Sequence, residues 1–459
     1  MSKSRQRAAE PTPPPLPAGR RRLFVGVTLA LPWLVLAIIE LALRLGGYGA
    51  SYPLFIAYPP QPEYLLPNQD VAKRYFSQGT IVPLPQLDFF AAEKTPATYR
   101  IIFQGESSAA GFPYRHGGAP SRMLEQRLQA TFPDRSIEVI NTALTGINSY
   151  SLLDQSDEII AQHPDAVLIY TGHNEYYGVF GVGSSGSLGR LRPMIRAYLA
   201  LRHLRLAQLI QHMLGAVFAI PGASSGNEND APRTVMELMA GDRHIPLGSP
   251  TYRLGLDQFR ANLAELLSRY RHAKIPVLIG TLASNEREQP PFVTGLDART
   301  DSTQWRAYLR AGTAALALGN VDSAERALDM AIRLDSTGAD AFYALGKVFD
   351  ARGDTVRARS AYRNAKELDQ LRFRAPEAMN AIIREEAARH GATVVETQQA
   401  LERASPGGVI GKGVMLEHLH PNLDGYFIIA GAFYETMQQL GMVGGPGATV
   451  AAAQARRDI

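Results

Sequence analysis

Five short apolar runs, each followed by a helical pattern, constrain this chain of 459 residues more than any other feature. The runs fall at 99–104, 137–141, 166–171, 276–281 and 393–396. The helical patterns fall at about 120–130, 149–162, 252–272, 376–390 and 423–440. A strand buried on both faces is apolar throughout rather than alternating, and a parallel sheet needs a crossover between neighbours. The expected fold class is therefore α/β: a three-layer α/β/α domain on a mostly parallel five-stranded sheet. In such sheets the groups that do chemistry gather at the carboxyl ends of the strands.

The rest of the chain departs from that alternation. Residues 1–22 are polar, Pro-rich and end in Arg20, Arg21 and Arg22; they read as a disordered tail. An apolar stretch follows from 23 to 45, enough for a bilayer span of roughly 20 residues. Basic residues precede it and few follow, so the charge rule puts the N-terminus in the cytoplasm and the remainder outside. Glu40 and Arg44 lie in this stretch at i, i+4 spacing, which favours an interfacial pair over a functional charge pair within the membrane. Residues 46–98 read as an extended linker packed partly on the main domain, and 444–459 as a flexible tail.

Two insertions divide the α/β domain into 99–301 and 371–443. The first, 179–250, has a helical core at 188–218 with Arg190, Arg192, Arg196, Arg202 and Arg205 among Leu, Ile and Met, then a Gly/Ser/Asn-rich loop at 223–232. It reads as a helical cap with a solvated basic face, or as a basic surface against anionic lipid. The second, 302–370, repeats itself at a shift of 34 residues: Gly312 falls on Gly346, Ala324 on Ala358, Ala331 on Ala365 and Asp335 on Asp369. That period, with small residues where helices touch, is the tetratricopeptide pattern, and two repeats need a host to lean on. They present either a partner- or substrate-binding groove or a structural elaboration such as a lid.

A net charge of +4 carries no broad nucleic-acid signal, and the absence of cysteine excludes a thiol nucleophile and disulfides. Gly105-Glu106-Ser107 ends the first apolar run, with Gly111 a few residues on. Ser107 is a candidate nucleophile, though a serine there also caps helices. Asn141 to Gly146 ends the second run, and Gly172-His173-Asn174-Glu175 the third. Glu417-His418-Leu419-His420-Pro421-Asn422 lies near the C-terminus, a carboxylate three residues ahead of a histidine. His418 and His420 with Glu417 could also begin a metal set, but no further cluster completes one in sequence.

These four blocks, in this order, resemble those of the SGNH (GDSL-type) hydrolases. The resemblance implies Ser107 as nucleophile, His420 as base and Glu417 as its orienting acid. It further implies an oxyanion hole from the N–H groups of Ser107 and Gly146 and the amide of Asn174. It requires no cofactor and no metal. Three positions depart from the family pattern: Glu106 and Glu417 stand where aspartate is usual, and Ala143 where the second block has a glycine. The longer Glu417 changes the reach to His420. Asn174 and Glu175 also suit a cap, His173 a pocket lining, and Arg372 and Arg374 structural ion pairs. The expected activity is that of a membrane-anchored serine esterase or acyl-transfer enzyme acting on an acylated envelope carbohydrate or a lipid ester. The alternative is a non-catalytic assembly protein that works through the repeats.

Overall fold

The computed structural model describes residues 17–76, 82–184, 191–218, 244–443 and 452–456. They fall into two units: one of residues up to 51 with 197–218, the other of the remainder. The tail at 1–16 and the Gly/Ser/Asn-rich loop at 223–232 lie outside the described residues.

In the first unit, helix α1 spans Ala18–Leu45, 28 residues of which none is buried. At 1.5 Å per residue its length is about 42 Å, more than the hydrocarbon core of a bilayer. It starts before the apolar run, so Arg20, Arg21 and Arg22 are helical. Glu40 and Arg44 pair at 2.7 Å, yet each also holds a second segment. Glu40 Oε2 accepts the N–H of Leu206 at 2.8 Å and Arg44 Nη2 donates to the carbonyl of His203 at 3.1 Å. Where one helix was expected over 188–218 there are two, α4 (Arg192–Leu201) and α5 (Arg205–Phe218), parted at 202–204. A helix break leaves free N–H and C=O groups. Glu40 takes a donor on one side of it and Arg44 an acceptor on the other. Gln208 adds bonds to both backbone groups of Ala50, and the Tyr48 hydroxyl lies 2.8 Å from His212 Nδ1.

The second unit is built on five parallel strands: β4 (Thr98–Gly105), β5 (Ser136–Asn141), β6 (Ala166–Tyr170), β7 (Val277–Gly280) and β8 (Thr393–Val395). Their spatial order is β5-β4-β6-β7-β8, all neighbours parallel. The chain thus steps to one side of β4 and then returns to its other side, which makes a topological switch point beside β4. All five strands fall on the apolar runs. Ile101, Ile102, Phe103, Val167, Leu168 and Ile169 are fully buried.

Two helical layers cover the sheet. In one, α2 (Pro120–Thr131) and α12 (Thr397–Ala404) pack on α13 (Leu423–Gln439); in the other, α3 (Ser149–Ile160) and α11 (Glu377–His390) pack on α6 (Pro250–His272). Under the sheet the Gln104 amide donates to the Leu152 carbonyl and accepts from the Tyr270 hydroxyl.

The expected linker is more ordered than its sequence suggests. It forms an antiparallel sheet of β1 (Phe55–Tyr58), β2 (Gln61–Pro67) and β3 (Phe90–Ala91), in that order. The first four residues of β2 are exposed, so the alternation that would mark a strand is missing. Buried Arg74 fixes this part to α3 through Asp154 and Glu158, and Asp88 accepts the N–H of Asn141 at 2.7 Å.

The insertion at 302–370 forms two helical hairpins, α7 (Ser302–Ala317) with α8 (Val321–Leu334) and α9 (Ala339–Arg352) with α10 (Thr355–Leu368). The 34-residue shift recurs in the packing. Gly312 packs on Leu328, and Gly346 on Tyr362. It recurs in the loop contacts as well: Asp335 accepts the Asp297 N–H and the Thr300 hydroxyl, both at 2.7 Å, while Asp369 accepts the N–H groups of Phe292 and Val293, both at 3.0 Å. Both aspartates therefore hold the one loop that leads from β7 into the insertion.

Candidate active site

Strand β4 ends at Gly105, where a side chain would place its Cβ 2.2 Å from the Tyr170 carbonyl oxygen of β6. Only a glycine lets the two strand ends approach so closely. The next turn carries Ser107, 5% exposed. Its Oγ lies 2.8 Å from His420 Nε2. On the far side of that ring Nδ1 meets Glu417 Oε1, and the same oxygen accepts the backbone N–H of His420 at 2.7 Å. The extra methylene of glutamate is taken up by this curl of the side chain back onto its own loop. Glu417 Oε2 accepts the His418 N–H at 2.8 Å and also faces His418 Nδ1. Burial pulls His420 down to about 3, so its imidazole is neutral near pH 7, with Nε2 turned to the Ser107 hydroxyl.

Gly146 ends the loop after β5 with a positive φ of 78°, a conformation that favours glycine. Its carbonyl accepts the N–H of Val179 at 3.0 Å. Its own N–H, like that of Ser107, has no acceptor among the described residues. Asn174 follows β6 and donates one amide hydrogen of Nδ2 to the Ile147 carbonyl at 3.0 Å. Ser107, Glu417 and His420 are thus in direct contact, while the 174–179 loop bonds to the Gly146 loop.

Two buried carboxylates join the loops, a role invisible at the level of motifs. Glu106 accepts the Thr171 hydroxyl (2.7 Å), the Gly172 N–H (2.9 Å) and the Asn174 N–H (3.1 Å), tying the serine loop to the asparagine loop. Glu175 accepts the N–H and hydroxyl of Ser149 at 2.7 and 2.8 Å, tying the asparagine loop to the start of α3 and hence to Gly146. Burial pushes Glu106 up to about 7; burial and then the neighbouring Glu106 push Glu175 up to about 8. The only trace of this in sequence is a glutamate beside each motif residue.

The remaining candidates divide. His173 is 3% exposed and its Nδ1 accepts the Ala375 N–H at 3.2 Å, which packs it against the exit of the insertion. Burial, then His420 and Lys366, hold it down at about 3. Arg374 pairs with Asp369 at 2.9 Å, both buried; Arg372 donates to the carbonyls of Ile245 and Glu367. Among the described residues no group of three or more acidic or histidine side chains is placed to hold a metal ion.

No family model matches the chain, and no curated protein matches it. Solved structures similar to it include a GDSL-like lipase from Bacteroides thetaiotaomicron, at 11% identity over 74% of this chain and 88% of that one, with a TM-score of 0.31. The lipase/acylhydrolase from Enterococcus faecalis is similar at 14% identity, over 74% and 95%, with a TM-score of 0.32. The psychrotrophic esterase EstA from a Pseudoalteromonas species is similar at 11%, over 74% and 97%, also with a TM-score of 0.32. In its sheet order, and in the Ser107, Gly146 and Asn174 loops at the carboxyl ends of β4, β5 and β6, this chain has the parallel α/β fold that its resemblance to the SGNH (GDSL-type) hydrolases implies.

Proposed function

We propose that the chain is a membrane-anchored serine esterase or acyl-transfer enzyme whose α/β domain faces away from the cytoplasm. The observation that carries the reading is the continuous contact from Ser107 Oγ through the His420 ring to Glu417. A hydroxyl 2.8 Å from a neutral imidazole nitrogen can lose its proton to it as the oxygen attacks a carbonyl carbon. Glu417, bound to Nδ1, keeps the lone pair on Nε2 and stabilises the imidazolium that forms. The oxyanion would be met by the N–H groups of Ser107 and Gly146 and by the second hydrogen of the Asn174 amide. His420 then returns the proton to the leaving oxygen, and water or a second hydroxyl completes the cycle. The same parts serve hydrolysis and transfer, on an acylated envelope carbohydrate or a lipid ester.

A non-catalytic assembly role would suit a serine held apart from the histidine; the short contact favours the enzymatic reading. The test is hydrolysis of p-nitrophenyl acetate by the full-length protein in detergent. Ser107→Ala and His420→Ala are each expected to lower kcat by about 1,000-fold or more. Rates equal to the wild type in both variants would overturn the reading.

A further inference from the structure

The loop from β7 into the insertion passes the site. Asn285 N–H donates to the His418 carbonyl at 3.0 Å, which joins this loop to the one that carries the histidines. Seven residues on, the Phe292 ring stands edge-on to His418 with centroids 5.2 Å apart, and edge-on to Phe373 at 5.6 Å. It remains 39% exposed. On the serine side, the Phe112 ring lies 4.7 Å from His420 and is 44% exposed. Four rings thus follow one another, Phe112, His420, His418 and Phe292, with the histidines 6.3 Å apart. The two outer rings are apolar and open to solvent.

An exposed phenyl ring needs something to hold it, since burial does not. Asp369, 2% exposed, accepts the N–H groups of Phe292 and Val293 at 3.0 Å each and pairs with Arg374. Arg374 in turn donates to the carbonyls of Asn285 and Gln289, both at 3.0 Å. Gln370 N–H donates to the Val293 carbonyl at 2.9 Å. The loop is therefore pinned on both sides of Phe292 by residues at the end of α10. A buried ion pair whose hydrogen bonds are largely met is a rigid support.

We propose that Phe292, with Phe112, is a substrate-contacting wall that takes the nonpolar acyl portion of the ester, and that the helical insertion positions it through Asp369 and Arg374. Asp369 and Arg374 are positioning residues, and Phe292 sets specificity. This rests on the esterase reading. Butyrate carries two methylenes more than acetate and a fully covered methylene gains about fourfold in binding, so a half-covered wall should favour butyrate over acetate by about fourfold.

The experiment is kcat/KM for p-nitrophenyl acetate and butyrate, with full-length protein in one nonionic detergent. Phe292→Ala is expected to bring the butyrate-to-acetate ratio below about 2, through KM rather than kcat. Phe292→Leu, which keeps an apolar group, should restore most of the ratio. Asp369→Asn should lower it in the same direction as Phe292→Ala. An unchanged ratio in Phe292→Ala, with acetate hydrolysis still dependent on Ser107, would overturn this inference alone. Acetate hydrolysis that survives Ser107→Ala would overturn the esterase reading and this inference with it.

Discussion

Glu417 is the residue on which the site turns. Its carboxylate receives backbone N–H groups from His418 and His420 as well as the His420 ring, so the side chain has one position. Glu417→Gln keeps the shape and reverses part of the chemistry. The amide lacks the negative charge that holds the Nδ1 proton and stabilises the imidazolium as the serine proton moves to Nε2. The expected result is a fall in kcat of about 10,000-fold with little change in melting temperature. A fall below about tenfold would show that the acid plays no orienting part. The longer side chain could be read in sequence as a question of reach; its answer, a curl onto the loop, needs the backbone of 417–420.

At the level of elements, much was legible because it is local. Short unbroken apolar runs identify buried parallel strands, and all five were found where the pattern puts them. The repeat of 34 residues was legible for the same reason. Two features were not. Strand β2 exposes its first half and so has no pattern to read. The Glu106 bonds cross 65 to 68 residues of chain, and only the fold brings their ends together. Those bonds carry a test. Glu106→Ala leaves the Thr171 hydroxyl and the N–H groups of Gly172 and Asn174 without their buried acceptor, at a cost of about 1–3 kcal/mol for each that water cannot reach. Unfolding in urea should report a loss of that order. The rate on p-nitrophenyl acetate should fall as the serine and asparagine loops uncouple, even though Glu106 touches no reacting atom. Full activity in a destabilised Glu106→Ala would contradict the coupling.

The whole molecule carries these groups as a dependence of stability on pH. His173, His418 and His420 are held at about 3, mainly by burial, against an ordinary value of 6.5. Below about 6.5 the unfolded chain binds three protons that the folded one refuses, so the stability they contribute is lost as pH falls toward 3. Glu106 and Glu175 run the other way. Their carboxyls, at about 7 and 8 when folded against 4.5, hold protons that the unfolded chain has released, so that stability is lost as pH rises from about 4.5 through 8. Between 4.5 and 6.5 three histidine protons oppose two carboxyl protons, and the net slope is still upward with pH. The five groups together place the maximum near pH 6.5. Melting temperatures across pH 4.5 to 8.5 should peak there, and Glu106→Gln with Glu175→Gln should flatten the alkaline side. A melting temperature still climbing at pH 8.5 would contradict the assignment.

The clamp at the C-terminal end of α1 gives that helix a second duty. Glu40 closes the first turn of α5 and Arg44 donates to the His203 carbonyl between α4 and α5, so each charge also takes a partner more than 150 residues downstream. Without those partners an apolar helix carries two charges at its rim, answered only by each other. A protein cut free near residue 50 would keep the α4–α5 corner but lose both of its end groups. The long apolar helix thus also finishes a piece of the fold, and a form severed from it is an incomplete fold.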